Sequence, residues 1–257
     1  MGNKLPVWKI TKASYGTILH SFGTFLAKTW AWWLLAFLIN ESIGFVLGVT
    51  RSVNAQHILL PFIPTLVLYG LAVMWHRSIL LGEDPRGFRA IRFPFRFWKF
   101  LGVAALFTFC VFSPLYLLAE VAVVPRGGLA FKLIFILSAL GLSGAFFYVG
   151  LRLSLTYPLI ATDETNVFDK SWELLKGNLW RVLGIGGLIY LPVAVLIQIL
   201  ESLSARTESL TMSLGSFMMI LIFDVLTNFI FVLATCAWAA AGSLSLMHLR
   251  GTQPART

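Results

Sequence analysis

Five polar side chains, Asn40, Glu41, Gln198, Asp224 and Asn228, interrupt otherwise apolar runs, and they are the residues best placed to do chemistry. A charge or amide inside hydrocarbon is costly without a partner or water, so such groups mark either an ion or proton path or a contact between helices. Asp224 and Asn228 stand four residues apart, which puts them on one helical face. By residue count all five fall in the half of the membrane away from the basic loops. Gathered around water, with Glu41 and Asp224 as carboxylates, they would bind a cation or carry a proton from the periplasm, as in a small transporter or channel. Scattered, they would serve as interhelical hydrogen bonds and solvated helix ends.

Other chemistry finds less support. Ser143 sits in Gly141-Leu142-Ser143-Gly144, but a serine nucleophile needs a base within hydrogen-bond reach. His20, His57, His76 and His248 all lie at segment ends, while Ser143 is about nine residues, roughly 13 Å, deeper in its helix. Gly141, Ser143, Gly144 and Ala145 read more simply as a small-residue patch for close helix packing. There is no His-Glu-x-x-His, no Cys-x-x-Cys and no glycine-rich phosphate loop, so neither catalysis nor a metal or cofactor is expected. Cys110 and Cys236 lie deep in apolar runs and read as small packing residues.

The elements that carry these residues follow from composition. With 58% hydrophobic and 12% charged residues, the chain departs far from the globular norm of about a quarter charged, and several runs approach the roughly 20 residues that a membrane helix needs. The fold class is all-α, a polytopic membrane protein in one membrane domain over 1–257. Six transmembrane helices are predicted at about 30–49, 58–80, 100–124, 131–157, 179–200 and 214–246. They pair as three hairpins, each preceded by a cytoplasmic amphipathic interfacial helix, at 13–28, 86–98 and 164–177. No removable signal peptide is expected at the start.

The interfacial segments interleave cations with aromatic and aliphatic residues. In 86–98 and just beyond, Arg89, Arg92, Arg96 and Lys99 recur at helical spacing beside Phe88, Ile91, Phe95 and Trp98. Between two spans this pattern points to anionic phospholipid rather than nucleic acid. Lys12, Arg152, Lys176 and Arg181 complete the expected headgroup contacts. Gly177-Asn178 supplies a helix stop followed by a new helix start.

Orientation follows from the same cations. Sixteen of the 20 Lys and Arg residues fall in the N-terminal segment, the connections after spans two and four, or the C-terminal tail. Basic residues of short loops stay in the cytoplasm, so both termini should be cytoplasmic. That side carries a net +10 against zero on the other, with Asp224 inside span six. Glu41, Glu120 and Glu201 recur at intervals of 79 and 81 residues, consistent either with a threefold repeat of the hairpin unit or with three hairpins shaped independently by one membrane.

Arg152-Leu-Ser-Leu with Pro158 beyond, then Ser171-Trp172-Glu-Leu-Leu-Lys176-Gly177-Asn178-Leu-Trp180-Arg181, resembles the connection between spans four and five in a group of bacterial six-span inner-membrane proteins. That group includes YciC-like proteins and the membrane domains of glycerophosphodiester phosphodiesterases. The resemblance covers about thirty residues and implies the bacterial cytoplasmic membrane as location. It transfers no catalytic residue, because the phosphodiesterase chemistry belongs to a soluble domain that this sequence lacks. Two roles remain in view: an interaction, assembly or lipid-organising protein, binding anionic phospholipid with other membrane subunits or itself, and a small transporter built on the acidic pocket.

Overall fold

In a computed structural model the protein is described over residues 4–50, 53–91, 95–123, 129–208 and 214–251. Helix dominates, and no strand occurs among these residues. Six helices are long: α2 (Phe22–Thr50), α3 (Val53–Leu81), α4 (Phe95–Val123), α5 (Leu129–Arg152), α8 (Leu179–Glu208) and α9 (Leu214–Arg250). Three are short: α1 (Val7–Leu19), α6 (Thr156–Ala161) and α7 (Val167–Leu174). Among the described residues four stretches are long and apolar enough to cross a membrane, Phe22–Ile43, Lys132–Arg152, Leu179–Ser204 and Met218–Arg250. Such helices satisfy their own backbone polar groups and leave an apolar surface, which is the constitution of a membrane protein.

The expected interfacial helices need correction. The first does not run 13–28. Pro6 precedes a helix over Val7–Leu19, the chain bends at His20–Ser21, and 22–28 form the first two turns of α2. Proline suits a helix start because the amide hydrogen it lacks would have no intrahelical acceptor there. The bend keeps α1 against the bundle, since one straight helix over 7–50 would extend about 66 Å. The second, at 86–98, is a single 3-10 turn over Gly87–Ala90, and regular helix resumes only at Phe95. Gly87 takes φ +56°, and proline at 94 cannot prolong a helix begun before it. The third shortens from 164–177 to Val167–Leu174, and Gly177 ends that connection at φ +79°. The fourth span likewise stops at Arg152 rather than 157, with Pro158 in the separate α6.

α9 is the post around which the rest is arranged, packed by α8, α3, α1, α2 and α6. Its segment Ala234 to Met247 is rich in alanine, glycine and serine, and Ala237, Ala239, Ala240, Ala241 and Ser243 are all buried. Small side chains let backbones approach, so contact accumulates over many short distances rather than a few large ones. Trp32, Phe25, Leu71, Leu159, Leu175, Ile185 and Leu246 fill the spaces between helices. Gly70 of α3 admits the Trp32 ring, for a Cβ there would stand 2.3 Å from it.

α4 and α5 form a separate pair. They pack extensively on each other, while α4 meets α3 and α6 more lightly and α5 touches α8 at few points. Gly150 sets how closely the two approach, because an added Cβ would fall 1.6 Å from the Phe107 ring. The expected packing patch on α5 lies elsewhere in the environment: Gly141, Gly144 and Ala145 are exposed, and only Ser143 of the four is buried.

Candidate functional site

Polar chemistry concentrates at one end of the bundle, where α1, the 82–91 turn and the 153–178 connection come together. Ion pairs fasten that end. Glu164 accepts two hydrogen bonds from Arg250, from Nη1 at 2.6 Å and Nη2 at 2.9 Å, and a third from Lys170 Nζ at 2.8 Å. These bonds hold the Glu164 carboxyl down at about 2, with Arg250 the larger cause. Asp163 receives Arg96 and Arg77, and Arg77 also pairs with Glu83 and donates to the Ala161 carbonyl at 2.7 Å. Asp84 takes Arg86 at 2.6 Å and Lys28 at 2.9 Å, which lower its carboxyl below the usual range.

A second set of bonds seats the chain's first described residues. Leu5 is wholly buried. Its amide donates to Asn178 Oδ1 at 2.9 Å, and its carbonyl accepts from Arg181 Nη1 at 2.6 Å. His248 Nε2 donates to the Lys4 carbonyl at 3.2 Å. Asn178 thus does more than start α8, since it also receives an amide from 173 residues earlier.

The eight cations expected to meet headgroups separate on this geometry. Arg96 is committed to Asp163, and Arg92 lies outside the described residues. Lys12, Arg89, Lys99 and Lys176 are exposed and make no described ion pair, while Arg152 and Arg181 are half-buried and donate only to backbone carbonyls. Exposed aromatics accompany them. Trp8 stands near Lys12 in sequence at 70% exposure, Phe88 and Phe95 flank the second group, and Trp172 and Trp180 (78%) flank the third. Lys99 Nζ lies 5.0 Å from the Phe95 ring centre. Trp8 and Lys9, which precede the helix expected over 13–28, belong to α1 in the fold, where Pro6 marks the helix start.

The hydrogen bonds described for the polar residues of the apolar runs are local. Asn40 Nδ2 reaches Glu41 Oε1 at 3.4 Å, Gln198 Nε2 donates to Glu201 at 2.9 Å, and Asn228 Nδ2 donates to the Asp224 carbonyl at 2.9 Å. Each of these bonds closes within its own helix. Gln198 lines an open groove of about 500 Å³ with Leu191, Val195, Ile199 and Ser202 along α8. Asn40, Glu41, Asp224 and Asn228 do not line it.

Sequence reasoning also missed a serine–histidine contact. His76 Nδ1 lies 2.8 Å from Ser243 Oγ, joining α3 to α9, with both residues buried. Gly242 beside them is tight enough that a Cβ would come within 3.3 Å of the imidazole. A nucleophile needs room for a substrate, and Ser243 has no exposed surface. Its position makes this pair an interhelical hydrogen bond. Ser143, the serine singled out by sequence, has no hydrogen-bond partner among the described residues. Among the described residues no three His, Cys, Asp or Glu side chains form a metal-binding group.

Comparison with family models, with curated proteins and with solved structures returns no match.

Proposed function

We propose that the protein is a six-span component of the bacterial cytoplasmic membrane, with three hairpins and both termini cytoplasmic, that works by binding rather than by catalysis. Its basic end holds anionic phospholipid and, beside it, other membrane subunits or a second copy. The resemblance of the 152–181 connection to six-span inner-membrane proteins agrees with this reading. The observation that carries it is the sorting of cations at one end. The four carboxylates of the Glu83, Asp84, Asp163 and Glu164 set are bound by Arg77, Lys28, Arg86, Arg96, Lys170 and Arg250. Lys12, Arg89, Lys99 and Lys176 make no described ion pair and lie among exposed aromatics. Tryptophan prefers the headgroup level, and each nearby lysine or arginine adds about 1 kcal/mol of attraction to an anionic leaflet.

Purification in native membrane discs, followed by identification of retained lipid and subunits, tests the proposal. Enrichment of phosphatidylglycerol or cardiolipin over the surrounding membrane, with or without a stoichiometric subunit, is the expected result. A protein that carries lipid in the bulk proportion and no partner would refute it.

A further inference from the structure

Resting on the membrane placement just proposed, we propose that Tyr157 and Tyr190 face an internal crevice that binds an uncharged lipid with a flat dicarbonyl ring, of the isoprenoid quinone class. Three tyrosines from separate elements meet there: Tyr69 of α3, Tyr157 of α6 and Tyr190 of α8. Their hydroxyls lie near enough to act on one another electrostatically. Tyr190 therefore points toward α3 and α6, into the bundle, and yet it is 44% exposed. A side chain that faces inward and stays exposed borders open space. The packing leaves that space, because the separate pair of α4 and α5 meets α8 only lightly.

The walls are aromatic. Between ring centres, Phe100 of α4 lies 4.7 Å from Tyr157 and 6.0 Å from Tyr69, and Trp238 of α9 lies 5.6 Å from Tyr190. Tyr69 is held by a hydrogen bond of 3.3 Å between its hydroxyl and that of Thr108. Tyr157 and Tyr190 make no such bond among the described residues, and the Tyr157 hydroxyl is not closed off. A phenol without an acceptor is costly inside hydrocarbon, so the crevice calls for a molecule that brings acceptors with it.

Charge, depth and shape select that molecule. Among the described residues only tyrosines act electrostatically on Tyr157 and Tyr190, so no cation there favours a phosphate or carboxylate. Tyr190 stands 11 residues into α8 from the basic end, and Tyr69 stands 12 residues from the same end of α3. These are depths of about 16 and 18 Å, near the middle of a hydrocarbon layer about 30 Å thick. Phospholipid esters and phosphates belong to the interfacial layers outside it, whereas a quinone can bring carbonyls to that depth. Its two carbonyl oxygens accept the two phenol protons, and its flat ring packs on the aromatic walls in the offset or edge-on manner of aromatic pairs. The tail also has a place. Ala194, four residues beyond Tyr190 and so on the same face, lines the open groove of about 500 Å³ along α8.

The test photolabels the full chain in nanodiscs with an azido-benzoquinone carrying a decyl tail, in the presence of increasing decyl benzoquinone or of decylbenzene, which lacks the carbonyls. Saturable label on peptides carrying Tyr157 or Tyr190, competed by the quinone and not by decylbenzene, is the expected result. Tyr157→Phe and Tyr190→Phe keep the rings, and each should weaken binding about three- to tenfold, the scale of one neutral hydrogen bond. Tyr148→Phe, whose ring packs on Trp172 instead, should match the wild type. Binding should also be equal in phosphatidylcholine and phosphatidylglycerol discs, because no cation takes part. Label that does not saturate, equal competition by decylbenzene, or unchanged binding in both crevice variants would overturn the site. A requirement for anionic lipid would overturn it too, by returning the signal to the basic end. A chain that fails to enter discs at all would remove the membrane placement along with the site.

Discussion

α5 and α9 each carry a run of glycine, alanine and serine in an apolar helix, and the two runs meet opposite surroundings. Ala237 to Ser243 in α9 are enclosed by five other helices, whereas Gly141, Gly144 and Ala145 in α5 face outward with open space beside them. Hydropathy cannot distinguish the two, since lipid tails and a protein core are equally apolar to the side chain that meets them. What separates them is the pattern around the small residues. The α9 run is nearly unbroken, so small side chains occupy every face, as a helix contacted from all sides requires. In α5 large residues such as Leu137, Leu140 and Phe147 share the exposed surface.

The contrast is broken most forcefully by enlarging one residue in each run. Ala240→Leu is expected to cost about 3 kcal/mol or to prevent folding, since a leucine at a fully buried alanine must push helices apart. Gly144→Leu should change stability by less than about 0.5 kcal/mol. Thermal unfolding in one detergent measures both, and similar shifts would contradict the assignment of α9 as the post. Ser243→Ala comes next. It strands the buried His76 Nδ1 and should lower stability by about 1–3 kcal/mol, whereas Ser138→Ala on α5 should be silent.

A smaller effect, and one with a pH signature, belongs to the α9 terminus. The Glu164 carboxyl is held at about 2, below its unfolded value, so it binds fewer protons in the folded state. Its contribution is complete above the unfolded value near 4.5 and fades as pH falls from there toward 2. With Lys170 partly exposed and screened, about 1 kcal/mol is at stake. Glu164→Gln should therefore lower the unfolding midpoint at pH 7 and converge with the wild type near pH 2. A constant difference across that range would show that another group governs acid sensitivity. Smallest of all, Lys9→Gln/Lys12→Gln should leave stability within about 0.5 kcal/mol while reducing the preference for anionic vesicles by about 1 kcal/mol per lysine.

Much of the helical content was legible because long apolar runs admit few alternatives. Gly177 was legible as a stop, and φ +79° explains why glycine stands there. Faces and boundaries were less so. Helical spacing of Arg89, Arg92, Arg96 and Lys99 pointed to a helix over 86–98, but spacing describes a helix only if the backbone forms one, and Gly87 and Pro94 stand within it. The third amphipathic segment, expected over 164–177, also divides in the fold. Ser171 and Leu175 enter the core, while Phe168 and Trp172 remain exposed. The Leu5 seat, the Arg96 pairing and the His76–Ser243 contact all join residues far apart in the chain, and local pattern holds no trace of such partners.

The buried seat of Leu5 has a consequence in time. Its two partners, Asn178 and Arg181, come from the far side of the polypeptide, 173 and 176 residues later. At 5–20 residues per second the nascent chain must carry that leucine unseated for roughly 10–35 s while the intervening helices are synthesised. Leu5 thus settles well after it is made, and its docking reports that the start of α8 has already arrived.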